Sequence, residues 1–583
     1  MSAKAPYILF DDQTEFAQRY YTAPKTIITA RKADEISPAL KAIEAAYKAG
    51  NYLAGYFTYE IGAIFEPKLR PLLQTHNGPL LQFGVFETVS DQAPTELLYN
   101  AETPQIALKA AWTLAAYSRK FSRLMDYIKA GDAYQVNLTF PLNGNYEGNA
   151  AELYAALRHR QKGRYGGVIP LGGGPDIISL SPELFFRKSS QDMVMRPMKG
   201  TRSRINDRAA DQKARENMRA DLKSRAENLM IVDLLRNDLS RISETGSVEV
   251  PELFALETYP TLHQMTSRVT SQLRNGVNFE DIFSALYPCG SVTGAPKIRA
   301  MEIINELEDD PRGTYCGSMG YIDPDGQSCF NVAIRTLCLE NKRLIYGVGS
   351  GVVLDSDAAD EYEECLLKAD VLSAPPAQLI ETLRWDPDKG FVRLAAHRHR
   401  LETSAKDLKY PFSATKFNAI IASLKLSQTA QRVRLSLSPS GIFNLTKSPL
   451  APIGALKIAI SRHHHSKKVQ HSKHKISQRD FYDGERERLQ NLHGADEVLF
   501  LTQSGELSEG SFTSLFIERD GVLLTPPLSS GALPGILRAE LIAQNSAVAT
   551  KLTVKDLQEA KKILIGNSLR GLMEGTLISD QLL

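Results

Sequence analysis

Charge of one sign is missing from this chain. Its 69 lysines and arginines nearly cancel 67 aspartates and glutamates, leaving a formal +2 over 583 residues. That balance provides no field to draw in nucleic acid. Long apolar runs are missing as well, so no segment is expected to span a bilayer, and the first residues lack the pattern of a signal peptide. Cysteine is scarce: Cys289, Cys316, Cys329, Cys338 and Cys365 are all there are. They form no disulfide framework, which suits a reducing, cytoplasmic setting. Internal repeats and heptads are also absent. With 43% hydrophobic residues, a chain of this length has material for two large cores.

Against that neutral background a few segments concentrate chemistry. Arg196-Pro197-Met198-Lys199-Gly200-Thr201 sets a lysine between a strand-like run, Met193 to Met195, and a glycine turn. A lysine amine in such a place becomes a nucleophile once burial or a nearby cation lowers its pKa. Glu227 to Asp238 has apolar residues at helical spacing, yet carries Glu227, Asp233, Arg236 and Asp238. Gly290-Ser291-Val292-Thr293-Gly294-Ala295-Pro296-Lys297 is a small-residue turn that opens into a helix, Ile298 to Leu307. Tyr346 to Val353 is a strand interrupted by glycines, where backbone amides can approach an anion closely. Glu361, Glu364 and Lys368 share one helix face. That face has two readings. Glu364 and Lys368 are an exposed i,i+4 ion pair, or Glu361 and Glu364, with Glu227 as a third carboxylate, hold a hard cation such as Mg²⁺. The first 120 residues carry few motifs. Strands are expected at Tyr7 to Phe10, Leu53 to Tyr59 and Leu80 to Val85, and a helix at Pro38 to Lys48.

These segments occur in order with Tyr134-Gln135-Val136-Asn137-Leu138, Ser181-Pro182-Glu183-Leu184, Tyr315-Cys316-Gly317 and Ala333-Ile334-Arg335. Residues 1–372 thereby resemble the chorismate-utilising enzymes, the group of anthranilate synthase and aminodeoxychorismate synthase component I. The resemblance implies an α+β fold of large antiparallel sheets with outer helices. It implies Glu227 and Glu364 as direct Mg²⁺ ligands, and Glu361 acting through water. Arg335 and Tyr315 would grip a carboxylate of chorismate, and Gly349, Ser350 and Gly351 would offer amides to a carboxylate. Ser291, Thr293 and Lys368 would line the substrate site, and His263 is a candidate for proton transfer to the leaving C4 hydroxyl.

Lys199 divides the group. The resemblance implies that members with alanine there let ammonia attack C2 directly. A lysine instead adds at C2, expels the C4 hydroxyl, and is displaced when ammonia adds at C4. Ser224 departs from the acidic residue common one turn before Glu227. The ammonia needs a source. None of the five cysteines sits in the glycine elbow of a glutaminase nucleophile, so a separate glutamine amidotransferase subunit is the expected partner.

Ser373-Ala374-Pro375-Pro376-Ala377 reads as a stiff linker. Beyond it, Leu379 to Trp385 and Phe391 to Leu394 alternate as a hairpin, and His397 opens a helix. Further segments are His397-x-x-Arg400-Leu401, Lys475-x-x-x-Arg479-x-x-Tyr482, Ala495 to Leu499, Glu509 to Phe516, Leu524 to Pro527 and Leu533 to Arg538. On these, residues 378–583 resemble the pyridoxal-phosphate enzymes of fold type IV, the branched-chain and D-amino acid aminotransferase fold, which includes aminodeoxychorismate lyase. The resemblance implies Lys475 as the covalent attachment point of the cofactor and a proton shuttle. Glu509 would pair with the pyridine nitrogen. Arg400 would hold the phosphate with the Ser514 hydroxyl and amides near Ile536 and Leu537. Ser514 stands where asparagine is common, and Leu537 where threonine is. Lys473 is a near neighbour of Lys475, and the spacing to Arg479 and Tyr482 selects Lys475. The run Arg462 to His474 reads as a solvated basic loop rather than a metal site.

Together the halves imply one route: chorismate and ammonia to 4-amino-4-deoxychorismate, then loss of pyruvate to leave 4-aminobenzoate. The alternative is an anthranilate-type first half with a transaminase or non-catalytic module behind it. A homodimer, if formed, is expected through the second half.

Overall fold

The computed structural model describes residues 6–15, 17–73, 78–98, 106–158, 160, 163–203, 208–258, 262–372, 377–408, 410–424, 427–465, 474–477, 479–502 and 504–582. The chain separates into two compact units that divide at residues 373/374. The expected linker falls at that division, and its residues 373–376 lie outside the described ones.

The first unit is built on two antiparallel sheets of nine and ten strands. Its expected strands are present as Tyr7–Asp12, Tyr52–Phe57 and Leu81–Phe86, and its expected helix as Ile36–Lys48. Ile8, Phe10, Tyr21, Ile169 and Ile177 of one sheet meet Ala54, Tyr56, Phe86 and Met319 of the other in a shared core. On its outer face the ten-stranded sheet is covered by Ile36–Lys48, Leu222–Ser240 and Phe279–Leu286, through Leu40, Ile231, Leu235 and Phe283. Helix spacing in these segments gives one apolar stripe each, which is why they lie on the sheet rather than in it.

Three charged residues of the apolar helix Leu222–Ser240 have partners within the fold. Lys297, at the start of helix Lys297–Leu307, donates to Asp238 and to Leu286 O, and Arg236 pairs with Asp233 at the surface. Beneath the Gly290–Thr293 turn, Arg312 forms a bidentate pair with Glu308 (2.8 and 2.7 Å) and donates to Val292 O and Asn137 O. Both partners are buried. That clamp fixes the turn against the strand Gln135–Asn145.

The second unit has a four-stranded antiparallel sheet and an eight-stranded mixed sheet. In the latter, Leu456–His465 runs parallel to Glu497–Thr502 and to Gly571–Leu582. The hairpin forms as Leu379–Asp386 and Gly390–Val392. The helix after it starts at Leu394, earlier than expected, because Arg393 takes a left-handed conformation (φ 58°) and turns the chain at once. The basic run is not wholly loop: pairing with Leu501 and Thr502 carries the strand through His464 and His465. Residues 466–473, Lys473 among them, lie outside the described residues. No described helix is long and apolar enough to cross a membrane.

Candidate functional sites

In the first unit, Lys199 lies on the strand Met198–Ser203, paired opposite Met265, and is half-buried. Gly200 follows with φ +69°, and Ser224 Oγ lies 3.0 Å from where a Cβ on it would stand. Ser224 therefore seats the start of helix Leu222–Ser240, and with it the turn carrying Glu227, against the lysine's loop. The Lys199 amine points at the glycine strand Arg343–Val352, with Nζ 3.3 Å from the place of a Cβ on Gly351, and Gln135 Nε2 is 2.6 Å from that same place. Any side chain at residue 351 would take up the space in front of the amine.

Beside them sits a carboxyl that the sequence reading had quoted only as part of a motif. Glu183 is buried, and burial pushes its pKa up to about 7, against the opposing pull of the Ser291 hydroxyl and the charge of Lys199. Ser291 Oγ also lies 3.3 Å from Cys289 Sγ. The Thr293 hydroxyl is spent on the turn itself, donating to Cys289 O and Gly290 O. Lys199, Glu183, Ser291, Gln135 and Gly351 thus form one cluster, a strongly perturbed acid beside a potential nucleophile.

The anion-binding candidates surround it. Arg335 takes φ +51°, an uncommon conformation for any residue but glycine that costs about 1–3 kcal/mol. Burial lowers its guanidinium pKa, and it has no carboxylate partner among the described residues. A buried cation without an anion is costly unless one arrives. Tyr315 packs its ring against Gly347, whose missing Cβ leaves room for it. Among the described residues no hydrogen bond joins Tyr315 to Arg335, each of which would meet the carboxylate with its own donors. Along Gly347–Val352 alternate amides face away from the partner strand Gln135–Asn145. Lys368 Nζ donates to Gly349 O and to Glu364, both at 2.7 Å. The Ser350 hydroxyl is turned away to Tyr117, 3.4 Å off.

Glu361 and Glu364 share the face of helix Ala358–Leu367, as their spacing required. Glu361 accepts from Ser356 at 2.7 Å and Glu364 is held by Lys368. Among the described residues no three His, Cys, Asp or Glu side chains converge as a metal cluster. His263 Nε2 lies 3.1 Å from Asp211 of helix Arg208–Ala220, and the ring is buried.

In the second unit, Lys475 is largely desolvated. That burial, reinforced by Arg400, Arg479 and Arg434 and opposed by Glu381, brings its pKa down to about 7. Arg400 is fixed by Glu381 in a bidentate pair (2.9 and 2.6 Å), and its remaining reach is to Pro534 O at 3.1 Å. Glu381 also accepts from His397, 2.6 Å away. Burial alone would raise Glu381, but Arg400 and His397 hold it at about 2. Arg400 thereby meets the turn before helix Ile536–Ala543, where Gly535 leaves no room for a Cβ: Ser514 Oγ would be 2.7 Å from it. A helix start, a hydroxyl and a guanidinium converge there, a donor set suited to a phosphate. Leu537 turns its side chain into the core, leaving only its amide for that role.

Glu509 is buried, accepts from Tyr482 Oη at 2.6 Å and Leu533 N at 2.8 Å, and is pushed by burial up to about 7. Sequence reasoning missed the group that sets its loop. Glu497 accepts from Ser511 N at 2.8 Å, Thr513 Oγ1 at 2.6 Å, Phe512 N and the Ser511 hydroxyl, pinning the turn between Glu509 and Ser514.

Comparison with known proteins agrees with this geometry. Residues 5–374 match the family described as chorismate binding enzyme. The chain belongs to the chorismate-binding enzymes. Residues 378–578 match a second family, amino-transferase class IV. Aminodeoxychorismate synthase component 1 of Escherichia coli is 40% identical over 333 residues, 53% of this chain and 73% of that protein. Its counterpart in Salmonella typhimurium is 39% identical over 290 residues, 49% of this chain and 62% of its own length. Among solved structures, anthranilate synthase component I of Streptococcus pneumoniae aligns with TM-score 0.53 at 25% identity, covering 64% of this chain and 93% of that one. This chorismate-binding enzyme therefore carries its class IV amino-transferase region on the same chain, and both expected fold classes stand.

Proposed function

We propose that the chain makes 4-aminobenzoate from chorismate in two steps. The first unit aminates chorismate at C4 to 4-amino-4-deoxychorismate, and the second eliminates pyruvate from that product. The observation that carries the reading is the Lys199 amine facing Gly351 with the neutral-prone Glu183 carboxyl at its side. Anthranilate-type chemistry needs no amine there.

In the first step Lys199 Nζ adds to ring C2 as the C4 hydroxyl departs. Glu183 gives that hydroxyl its proton and leaves as carboxylate, so water is released. Ammonia then bonds to C4 while the C2–Nζ bond breaks, the proton shed by the new C4 ammonium returns to Glu183, and the lysine amine and the acid are both regenerated. Arg335 and the Gly347–Gly351 amides neutralise the substrate's carboxylates. Mg²⁺ takes one or two carboxylates and keeps water and substrate oxygens besides, so Glu227 and Glu364 suit it in type as direct ligands, with Glu361 acting through water. When bound it would withdraw electrons from the ring carboxylate. The ammonia would come from a separate glutamine amidotransferase subunit.

Glu183 predicts a pH signature. Only its protonated form donates, so amination should fall as pH rises through about 7. Glu183→Gln should slow amination about 10²–10⁴-fold, the usual worth of a general acid, and flatten that limb. A glutamine variant with parental rate and profile would remove Glu183 from the step. Gly351→Ala should cost at least ~10-fold in amination rate with an unchanged melting temperature, because its methyl displaces Lys199 or Gln135.

In the second unit the donor set fits pyridoxal phosphate: a cradle for phosphate, a buried carboxyl at Glu509 for a protonated ring nitrogen, and a lysine neutral near pH 7. When bound, the cofactor would serve as electron sink. Lys475 would move the proton lost from substrate C4, and Arg400 and Glu509 would hold the two ends of the site. Incubating the chain with chorismate, ammonia, Mg²⁺ and pyridoxal phosphate, followed by mass analysis, tests both steps. Formation of 4-aminobenzoate supports them, and anthranilate as the product would refute the first.

A further inference from the structure

Lys475 and one unassigned arginine stand on the same sheet face. The segment at Lys475 runs antiparallel beside Leu379–Asp386. Leu379 bridges Ile476, Ile380 N donates to Lys475 O at 2.8 Å, and Ser477 N donates to Gln378 O at 2.8 Å. Residues directly opposite in such a pair share a face, and successive residues alternate. Leu379 and Ile476 enter the core with Leu401, Phe417, Leu435 and Leu437, so Ile380 and Lys475 occupy the other face. The register carries that face to the next strand, where Ile380 opposes Ser436 and Thr382 opposes Arg434. With strands ~4.8 Å apart and a rise of ~3.3 Å per residue, the Cα atoms of Lys475 and Arg434 are separated by roughly 12 Å, within reach of two long side chains.

Of the three arginines whose charge reaches Lys475, two are already engaged. Arg400 is taken up by Glu381, and Arg479 donates to Ser511 O and meets Asp483 at 3.7 Å. Arg434 is half-buried and makes no ion pair among the described residues. Burial lowers its pKa, Arg432 and Arg479 lower it further, and Asp483 alone opposes them. Once the cofactor phosphate is held at Arg400 and the Gly535–Leu537 turn, Arg434 is a planar, two-pronged cation with no anion of its own. Such a group suits a carboxylate better than any other ligand.

We propose that Arg434 binds a carboxylate of the amine substrate and so selects a dicarboxylate for the second site. This inference rests on the lyase reading above, because 4-amino-4-deoxychorismate carries two carboxylates where an ordinary amino acid with an apolar side chain carries one.

The full chain loaded with pyridoxal phosphate tests it. In Arg434→Met, KM for aminodeoxychorismate should rise at least ~10-fold while kcat stays within ~3-fold, the signature of lost uniform binding. Chorismate has the same two carboxylates and a hydroxyl in place of the amine. Measured without ammonia, its competitive inhibition of pyruvate release should weaken by the same factor. The cofactor band near ~420 nm should be unchanged, and Arg434→Lys should fall between parent and Met. An unchanged KM, or a loss confined to kcat, overturns the assignment. Should the methionine variant fail to hold cofactor, Arg434→Lys decides: a parental KM overturns the proposal and an intermediate one supports it. A parent without the ~420 nm band sinks the lyase reading itself, whereas a parent with that band and an unaffected Met variant sinks only the role of Arg434.

Discussion

Lys199→Ala is expected to abolish aminodeoxychorismate formation, slowing it by about 10³-fold or more, within the range seen when a covalent nucleophile is removed. The argument is one of regiochemistry. Ammonia arriving at C2 gives the ortho product. Placing nitrogen at C4 by this route needs a first displacement that installs a leaving group at C2, and Lys199 is the amine positioned to supply it, 3.3 Å from where a Cβ on Gly351 would stand. Any amination that survives in the alanine variant should put nitrogen at C2. The Glu183 donor remains in place, so loss of the C4 hydroxyl is not what fails. Pyruvate release from supplied aminodeoxychorismate should be untouched, because that chemistry belongs to the other unit. Rapid-quench mass spectrometry of the parent should detect a substrate adduct on Lys199. Parental amounts of the C4-aminated product from the alanine variant would refute the nucleophile.

Much of this site was legible in the sequence because its chemistry lies in short contiguous segments. The Lys199 turn, the Gly290–Thr293 turn and the Glu361–Lys368 face each need only local periodicity and a glycine or two, and each formed as expected. What local pattern cannot give is which distant groups meet. Nothing near His263 in sequence announces Asp211, which the fold sets beside it. Glu183 was visible in its motif, but its perturbation arises from burial beside Ser291 and Lys199, residues that only sheet pairing brings together. In the second unit the roles of Glu381 and Glu497 were hidden for the same reason. Each is a lone acid in a strand-like run, and its donors come from a helix or turn 14 to 19 residues away. Arg434 is the extreme case, since its face is defined only once a chain segment about 40 residues downstream pairs with its neighbour strand.

Replacing Lys475 should have the largest effect on the second unit. In Lys475→Ala the cofactor band near ~420 nm should vanish and pyruvate release should fall by about 10³-fold or more, while chorismate is still aminated at the parental rate. The direction of the pKa shift explains why this lysine can act at neutral pH. Desolvation and the neighbouring arginines favour its uncharged form, and Glu381 cannot offset them because its carboxylate is already shared between Arg400 and His397. A free lysine would be almost wholly protonated at pH 7, whereas one near 7 is about half amine. Lowering the pH below that value should therefore slow attachment of added pyridoxal phosphate to the apo chain. Arg400→Met would release Glu381 to pair with Lys475, so attachment in that variant should slow further and its pH limb should move upward. Cofactor binding followed by absorbance from pH 6 to 9 measures both. An alanine variant that keeps the ~420 nm band would show that another amine carries the cofactor, and the reading of this unit would fail at its first residue.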